Sequence, residues 1–517
     1  RSRILAAAAS AIVAAAALLI VLHDPRAIAD ISFQLSFLSV LAIVWIVDRW
    51  RLESDRLNES PLPWSQRLLR GVRDAGVLSG VVTVVTLPVV AWYFNQIPWI
   101  GLAANLVAVP LVGGLLVPVG LLAAGWTLIS GSTSLCVSTV QQLLIDGVVG
   151  GLHWVASWPA TTWHVAAPSG LVIVLWYAGV WLASRAGTRM RDWCLIGFIS
   201  IGAVGLWAWE SRAWQDGDAW RVTFLDVGQG DSAVVELPDG KTVLVDAGGR
   251  YERFDAGRSI VGPFMWNHGI RQLDAVVATH PQLDHVGGLP WLVRHEPVAS
   301  YWDAGVERQE PFFEGLRQAL GERRIIPHHA QRGQEIVSGG GCLMRVVSPF
   351  ESSGSDVVGR SSSGSHLNNH SIATELECGS QVVLFTADLE IEGLRRLLAA
   401  GQRAVAVLKV PHHGGRSSLD PDWVRAVHPR YAVISVGRHN SYGHPAPAVL
   451  EAYGAEGSEI NRTDRDGAVI VTGRVSTAEV QVERMRDLLL SPVFGESEVG
   501  RREQDNWCKL WRRWTRG

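Results

Sequence analysis

The segment "THPQLDHVGG", Thr279–Gly288, gathers His280, Asp284 and His285 in one short loop beside a pair of glycines. Imidazole and carboxylate donors so close together suit zinc, manganese or iron, and the loop holds no thiolate. Gln282 lies between the first histidine and the aspartate. It is a poor ligand, since an amide oxygen offers a dipole where a carboxylate offers a charge. Further donors follow later apolar runs. "QVVLFTADLE" delivers Asp388, and "AVLKVPHHGGRSS" delivers His412 and His413 with Lys409 and Ser417 alongside. "SVGRHNSYGHP" offers His439 and His444. Taken singly, Asp388 could cap a helix, a strand-end histidine could be a surface residue, and His412–His413 could be a turn. The order His-x-x-x-Asp-His-x-Gly-Gly, then Thr-Ala-Asp, then Pro-His-His-Gly, each after a β run, argues for one shared site. Its chemistry would be hydrolytic, with a cation that acidifies water and stabilises charge on attacking and leaving oxygens.

The elements that must position these donors begin near Arg221. "RVTFLDVGQGDSAVVELPDGKTVLVDAGG" alternates Val- and Leu-rich runs with Gly-Gln-Gly and Pro-Asp-Gly turns. "QLDAVVATH" reads as a short buried strand ending at His280, and helical patches at 388–400 and 420–427 alternate with strands. The pattern predicts two packed β layers with outer helices over 215–485, and a site at one rim.

The first 210 residues differ in kind. From Ala75 to Ile145 there is no Asp, Glu, Lys or Arg. Seven spans are expected, roughly at 3–22, 31–47, 77–95, 100–125, 136–157, 168–184 and 193–209, each near the ~20 residues a bilayer needs. Arg49, Arg51, Arg56, Arg67, Arg70 and Arg73 fall in one connection, and Arg185, Arg189 and Arg191 in another. Basic connections stay cytoplasmic, which carries the soluble domain to the outside. Gln34 in "DISFQLSFLSV" and Asn105 in "GLAANLVAVPLVGG" are polar residues inside spans. They read either as lining a channel or as hydrogen-bonding glue between helices. The chain opens Arg-Ser-Arg, so an N-terminally truncated membrane domain is expected. A net charge of −3 excludes no partner class. The five cysteines follow no zinc or disulfide spacing. Cys342 and Cys378 could pair outside the cytoplasm, but free buried thiols are the expectation. The basic, Trp-rich tail 486–517 could stack single-stranded bases or lie at a membrane interface, and is expected to be disordered.

The segments "FLDVGQGDS", "THPQLDHVGGL", "NNHS", "FTADLE", "LKVPHHGGRSS", "ISVGRHNSYGHP" and "NRTDRDGAV" together resemble the metallo-β-lactamase superfamily. More narrowly they resemble the C-terminal domain of ComEC-type DNA-uptake channels. "DPRAIADISFQLSFLSVLAI" and "GLAANLVAVPLV" are similar to that family's competence domain. The resemblance implies a polytopic α-helical membrane domain followed by an αββα sandwich. It further implies passage of single-stranded DNA across the inner membrane, with an extracytoplasmic metallohydrolase acting on the non-transported strand. Other competence proteins and a second copy of the chain are possible partners.

Carried over by residue, His280 would belong to metal site one, Asp284 and His285 to site two, and Asp388 would bridge. His412 or His413 would complete site two. Lys409, Ser417 and the other histidine of the pair would hold the phosphate or protonate the leaving oxygen, with His444 a further candidate. One or two zinc or manganese ions are implied. The family commonly has Asp where this chain has Gln282, and its separate third histidine is not evident, His366 and His370 being weak candidates. Three readings therefore stand: a channel with a nuclease domain, a channel whose domain guides DNA without cutting it, and a membrane-tethered phosphodiesterase acting on an envelope substrate.

Overall fold

Strands in the C-terminal half alternate between an inward and an outward set of apolar side chains, and this alternation fixes the layering. Val243 and Val245 face a core shared with the second sheet, whereas Leu244 faces helices on the outside. On the second sheet Val407 points inward and Leu408 outward. The computed structural model describes residues 2–57, 63–131, 138–158, 161–185, 190–210, 217–251, 254–306, 311–350 and 364–486. It divides into two compact units, Arg1–Arg212 and Ala213–Gly517. Most of the tail expected to be disordered, from Asp487 on, lies outside the described residues.

In the second unit an eight-stranded sheet runs in the order Pro327–His329, Tyr301–Asp303, Ala275–Val277, Thr242–Val245, Ala233–Glu236, Ala219–Phe224, Val469–Arg474, Val480–Arg484. A seven-stranded sheet runs Glu335–Gly339, Cys342–Ser348, Ala373–Cys378, Gln381–Phe385, Val407–Lys409, Tyr431–Ile434, Glu459–Arg462. Trp220, Val222 and Phe224 from one sheet pack against Met344, Leu376 and Phe385 from the other, and the Phe224 and Phe385 ring centroids lie 5.7 Å apart. Outside the first sheet, Leu289, Leu292, Leu316 and Leu320 cover its back; outside the second, Leu394, Leu397 and Trp423 do so. The result is the expected αββα sandwich. Thr242–Val245 pairs parallel with Ala275–Val277, and Gln381–Phe385, Val407–Lys409 and Tyr431–Ile434 are mutually parallel. Their C-terminal ends lead into the loops that carry Asp246, His280, Asp388, His413 and Ser435.

Cys342 and Cys378 face each other across adjacent antiparallel strands and form a disulfide, with Cα atoms 4.2 Å apart. This corrects the expectation of free thiols: the register, invisible in a separation of 36 residues, sets them side by side.

In the first unit a helix stands at each expected span: Ser2–His23, Ile31–Leu57, Trp64–Phe94, Gly101–Ser130, Ser138–Ala156, Gly170–Arg185 and Met190–Glu210. Among the described residues, three of these are long and apolar enough to cross a membrane: Trp64–Phe94, Gly101–Ser130 and the stretch Asp192–Trp209. Several others are shorter in apolar length than seven crossings would ask. The helix that starts at Ile31 runs on past Arg49, Arg51 and Arg56 to Leu57. Gly101–Ser130 stays helical through a π turn at Val112–Leu116, where Gly113, Gly114 and the missing N–H of Pro118 weaken the i-to-i+4 ladder. Asn105 Nδ2 donates to Ser79 Oγ at 3.3 Å. Gln34 Nε2 donates to the Ile28 carbonyl at 2.8 Å and to the Tyr93 hydroxyl at 3.3 Å. Both amides thus join neighbouring helices, as interhelical glue would.

Glu296 caps the helix Leu289–His295 and is 5% exposed. Burial pushes its carboxyl up to about 7, against the weaker opposing pull of the Trp266 indole N–H and Arg323. Because the folded state holds this proton more tightly than the unfolded one, the stabilising contribution is full below the unfolded pKa and is lost as pH rises toward 7. Glu296→Gln should leave the melting temperature at pH 4 nearly unchanged and raise it at pH 8 by about 2–4 °C. Differential scanning of the full chain in detergent at the two pH values measures both.

Candidate metal centre

The polar loop after strand Ala275–Val277 is seated by close backbone contact. A side chain on Gly288 would meet the Ala247 carbonyl at 2.4 Å, and one on Gly287 would meet the Arg250 amide nitrogen at 2.3 Å. Gly230, in "VGQGDS", has φ +133° and admits the Asp284 carbonyl where a Cβ would lie at 2.0 Å. These approaches press the one-turn helix Leu283–Val286, with Asp284 and His285, between the loop joining Ala219–Phe224 to Ala233–Glu236 and the loop after Thr242–Val245.

His285 is fixed from behind. Its Nδ1 lies 2.8 Å from Asp246 Oδ2, and Asp246 also accepts the Thr279 backbone N–H at 2.9 Å and its hydroxyl at 2.7 Å. A carboxylate at Nδ1 holds the proton there and leaves Nε2 as a lone-pair donor. His413 is arranged alike, with Nδ1 donating to the Ser435 carbonyl at 2.9 Å. The two free nitrogens meet the carboxylates: His285 Nε2 is 3.3 Å from Asp388 Oδ2, and His413 Nε2 is 3.5 Å from Asp388 Oδ2 and 3.4 Å from Asp284 Oδ2. Donors on one tetrahedral ion with bonds of about 2.0–2.2 Å sit about 3.3–3.5 Å apart. His280 Nε2 stands wider, 4.0 Å from Asp388 Oδ2. The Nε2 atoms of His280, His285 and His413 are buried without a hydrogen-bond partner. Such orphaned lone pairs beside carboxylates fit a divalent cation, which Asp284, His285, His413 and Asp388 would hold.

The charges agree. Burial works against the cationic form of His285, yet Asp388, Asp246 and Asp284 raise it well above an ordinary imidazole. His413, equally buried, is pushed up to about 10 by Asp388 and Asp231. His280 is driven down to about 3 by burial and by His285. Asp388, despite burial, is held well below the usual carboxylate range by His413 and His285. The cluster therefore draws in positive charge, as protons or as a metal.

Of the expected pair, His413 joins the convergent donors and His412 does not. Both residues adopt left-handed backbone, with φ 49° and 53°, so the two imidazoles diverge and their planes meet at 63°. His412 remains partly exposed. Its Nδ1 lies 3.0 Å from Ser417 Oγ and 3.4 Å from Glu390 Oε1, and its Nε2 3.8 Å from Asp388 Oδ2. His444 stands beside it, ring centroids 5.5 Å apart, whereas His439 is exposed. His366 and His370 stack on each other at 4.9 Å, and neither enters a convergent donor group among the described residues. Gln282 points its Nε2 to Asn368 Oδ1 at 2.7 Å.

Lys409, expected to face a phosphate, is turned inward and is 4% exposed. It bonds Asp231 and the Ala387 carbonyl, and lies 3.7 Å from Asp388 Oδ1. The reason is strand alternation: after inward Val407 and outward Leu408, Lys409 points inward. Asp231, Asp246, Asn368 and Glu390 were missed as site residues. Asp246 carried the signal that marked Asp388, a carboxylate just beyond an apolar run, whereas Asp231 follows Gly-Gln-Gly and precedes its run.

A cation must displace the protons on His285 and His413, so affinity for Mn²⁺ or Zn²⁺ should rise with pH until His413 loses its proton at about 10. Titration calorimetry in buffers of different ionisation enthalpy should show net proton release. Asp246→Asn, which removes the anionic partner of His285, should weaken binding by about 10–100-fold.

Residues 5–189 match the family model described as competence protein, and residues 225–438 match that of the metallo-beta-lactamase superfamily. The chain is 25% identical over 467 residues to ComE operon protein 3 of Bacillus subtilis (strain 168), covering 87% of this chain and 56% of that protein. It is 28% identical over 466 residues to Competence protein ComA of Neisseria gonorrhoeae, covering 87% and 57%. Against Recombination protein 2 of Haemophilus influenzae the identity is 27% over 267 residues, covering 52% and 30%. The chain thus spans little more than half the length of the first two relatives.

Proposed function

From a chain of the competence DNA-uptake family that joins a competence segment to a metallo-β-lactamase-superfamily domain, we propose a membrane protein that conducts single-stranded DNA and hydrolyses phosphodiesters at its metal centre. The observation that carries the hydrolytic part is the convergence of Asp284, His285, His413 and Asp388, with unpartnered imidazole nitrogens, beneath the partly exposed His412. A divalent cation held there would supply Lewis acidity toward a phosphoryl oxygen and toward water. The chain's own residues do the rest. Asp246 and the Ser435 carbonyl hold the two ligand imidazoles in one tautomer. Lys409 balances Asp231 and Asp388 under the floor of the site. His412, steadied by Ser417, is placed to protonate the leaving oxygen, and His444 beside it to bind phosphate.

The uptake part of the reading draws on the competence relatives and on the apolar helices of the first unit. Seven crossings would place the hydrolytic domain outside the cytoplasm. Two features support that side: the arginine-rich connections, and the Cys342–Cys378 disulfide, of a kind that persists in oxidising compartments. In this reading Gln34 and Asn105 lie along the DNA path while joining helices. A second reading, a domain that guides DNA without cutting it, is favoured by one residue, Gln282, whose amide lies where a carboxylate would bind metal more strongly.

Full-length protein in detergent micelles, given end-labelled single-stranded DNA with Mn²⁺ or Zn²⁺, should cleave it only with the ion. Asp388→Ala should fall to background, and His412→Ala should lose about 10²–10⁴-fold in rate. Ion-independent binding without cleavage would establish the guiding role instead.

A further inference from the structure

We propose that this centre takes one divalent cation and not two, the place of a second being closed by a chain of side chains, Gln282–Asn368–Glu390. The orientation of both amides is decided by the carboxylate at the end. Glu390 only accepts hydrogen bonds, and Asn368 Nδ2 donates to its Oε1 at 3.1 Å. Asn368 must therefore turn Oδ1 toward Gln282, and Gln282 answers with Nε2 at 2.7 Å. The two amides are tied to each other, and neither brings the negative charge that a carboxylate at Gln282 would offer a cation near His280. Glu390 is held in turn. It accepts from Ser365 Oγ, and Asn369 Oδ1 accepts from the Glu390 and Gly393 backbone N–H groups at 3.1 and 2.8 Å. The segment that carries Asn368 is thereby anchored to the start of helix Ile391–Ala399.

Charge counting points the same way. Two dications of a binuclear centre lie within about 4 Å of each other and need carboxylates to offset their repulsion. The donor set offers Asp284 and Asp388, which balance one dication. Asp231 is bonded by Lys409, and Asp246 is spent on Thr279 and His285. Asp388 directs Oδ2 at the histidines, while Oδ1 lies 3.7 Å from the Lys409 ammonium, whose charge opposes a second cation on that side. His280 converges with His285 and Asp388, but those two already serve the first ion, and its Nε2 stands 4.0 Å from Asp388 Oδ2 with no carboxylate of its own to bring to a second.

The inference rests on the metal-binding half of the proposed function and not on the substrate, so a substrate-free measurement tests it. Full-length protein in detergent is saturated with Mn²⁺ or Zn²⁺, freed of excess ion, and assayed for metal by inductively coupled plasma mass spectrometry. One ion per chain is expected for the wild type. His280→Ala should retain that ion, and His413→Ala should lose it, with circular dichroism checking that both fold. The pair Gln282→Asp and Asn368→His, made together, should raise the count to two. Two ions in the wild type would overturn the proposal, as would loss of the ion in His280→Ala with retention in His413→Ala. A wild type that binds no ion would overturn it together with the hydrolytic reading. One ion without DNA cleavage would leave it standing while that reading falls.

Discussion

Three carboxylates, the buried Asp231 and Asp388 and the half-buried Asp284, converge at the edge of the sandwich, and their mutual repulsion is the constraint the rest of the site answers. Water reaches only Asp284 and screens the other two little. The chain supplies one permanent cation, Lys409, drawn inward between Asp231 and Asp388, and two imidazoles whose basicity the carboxylates raise. A divalent ion would complete the balance more compactly than two protons. The same charge surplus accounts for the tautomers, the inward lysine and the count of ions the centre can hold.

Placing those charges makes severe demands on the backbone. His412 and His413 both lie in left-handed conformation between Pro411 and Gly414, a strain of the order of 1–3 kcal/mol per residue. It is held by contacts on either side, His412 N to the Ala387 carbonyl at 3.0 Å and His413 Nδ1 to the Ser435 carbonyl. The glycines of "VGQGDS" and "HVGG" meet a matching demand, since backbone must approach backbone where the strand-end loops interleave. Parallel pairing of the strands is what brings those loops to one edge.

Much of this was legible in the residues. Donors after successive apolar runs announced a metal centre on a β rim, and the apolar stretches announced the helices of the first unit. Asp246 fitted that rule and Asp231 did not, and the role of both depends on facing His285 and Lys409 from another strand, a contact that spacing does not encode. His412 and His413 are adjacent letters with opposite environments, because two left-handed residues turn one imidazole into the core and leave the other at the rim. Asn368 carries no ligand signature, and its importance comes from touching both Gln282 and Glu390.

By itself the sequence determined which chemistry was available: nitrogen and oxygen donors without thiolate, an amide in place of one carboxylate, and a charge-free stretch suited to lipid. These are properties of side chains and survive any folding. Only the tertiary structure decided which donors share a point in space, which histidine presents a lone pair, where Lys409 spends its charge, and that Cys342 meets Cys378. Those depend on register, strand direction and backbone handedness, which bring together residues far apart in the chain and lie in no single stretch of it.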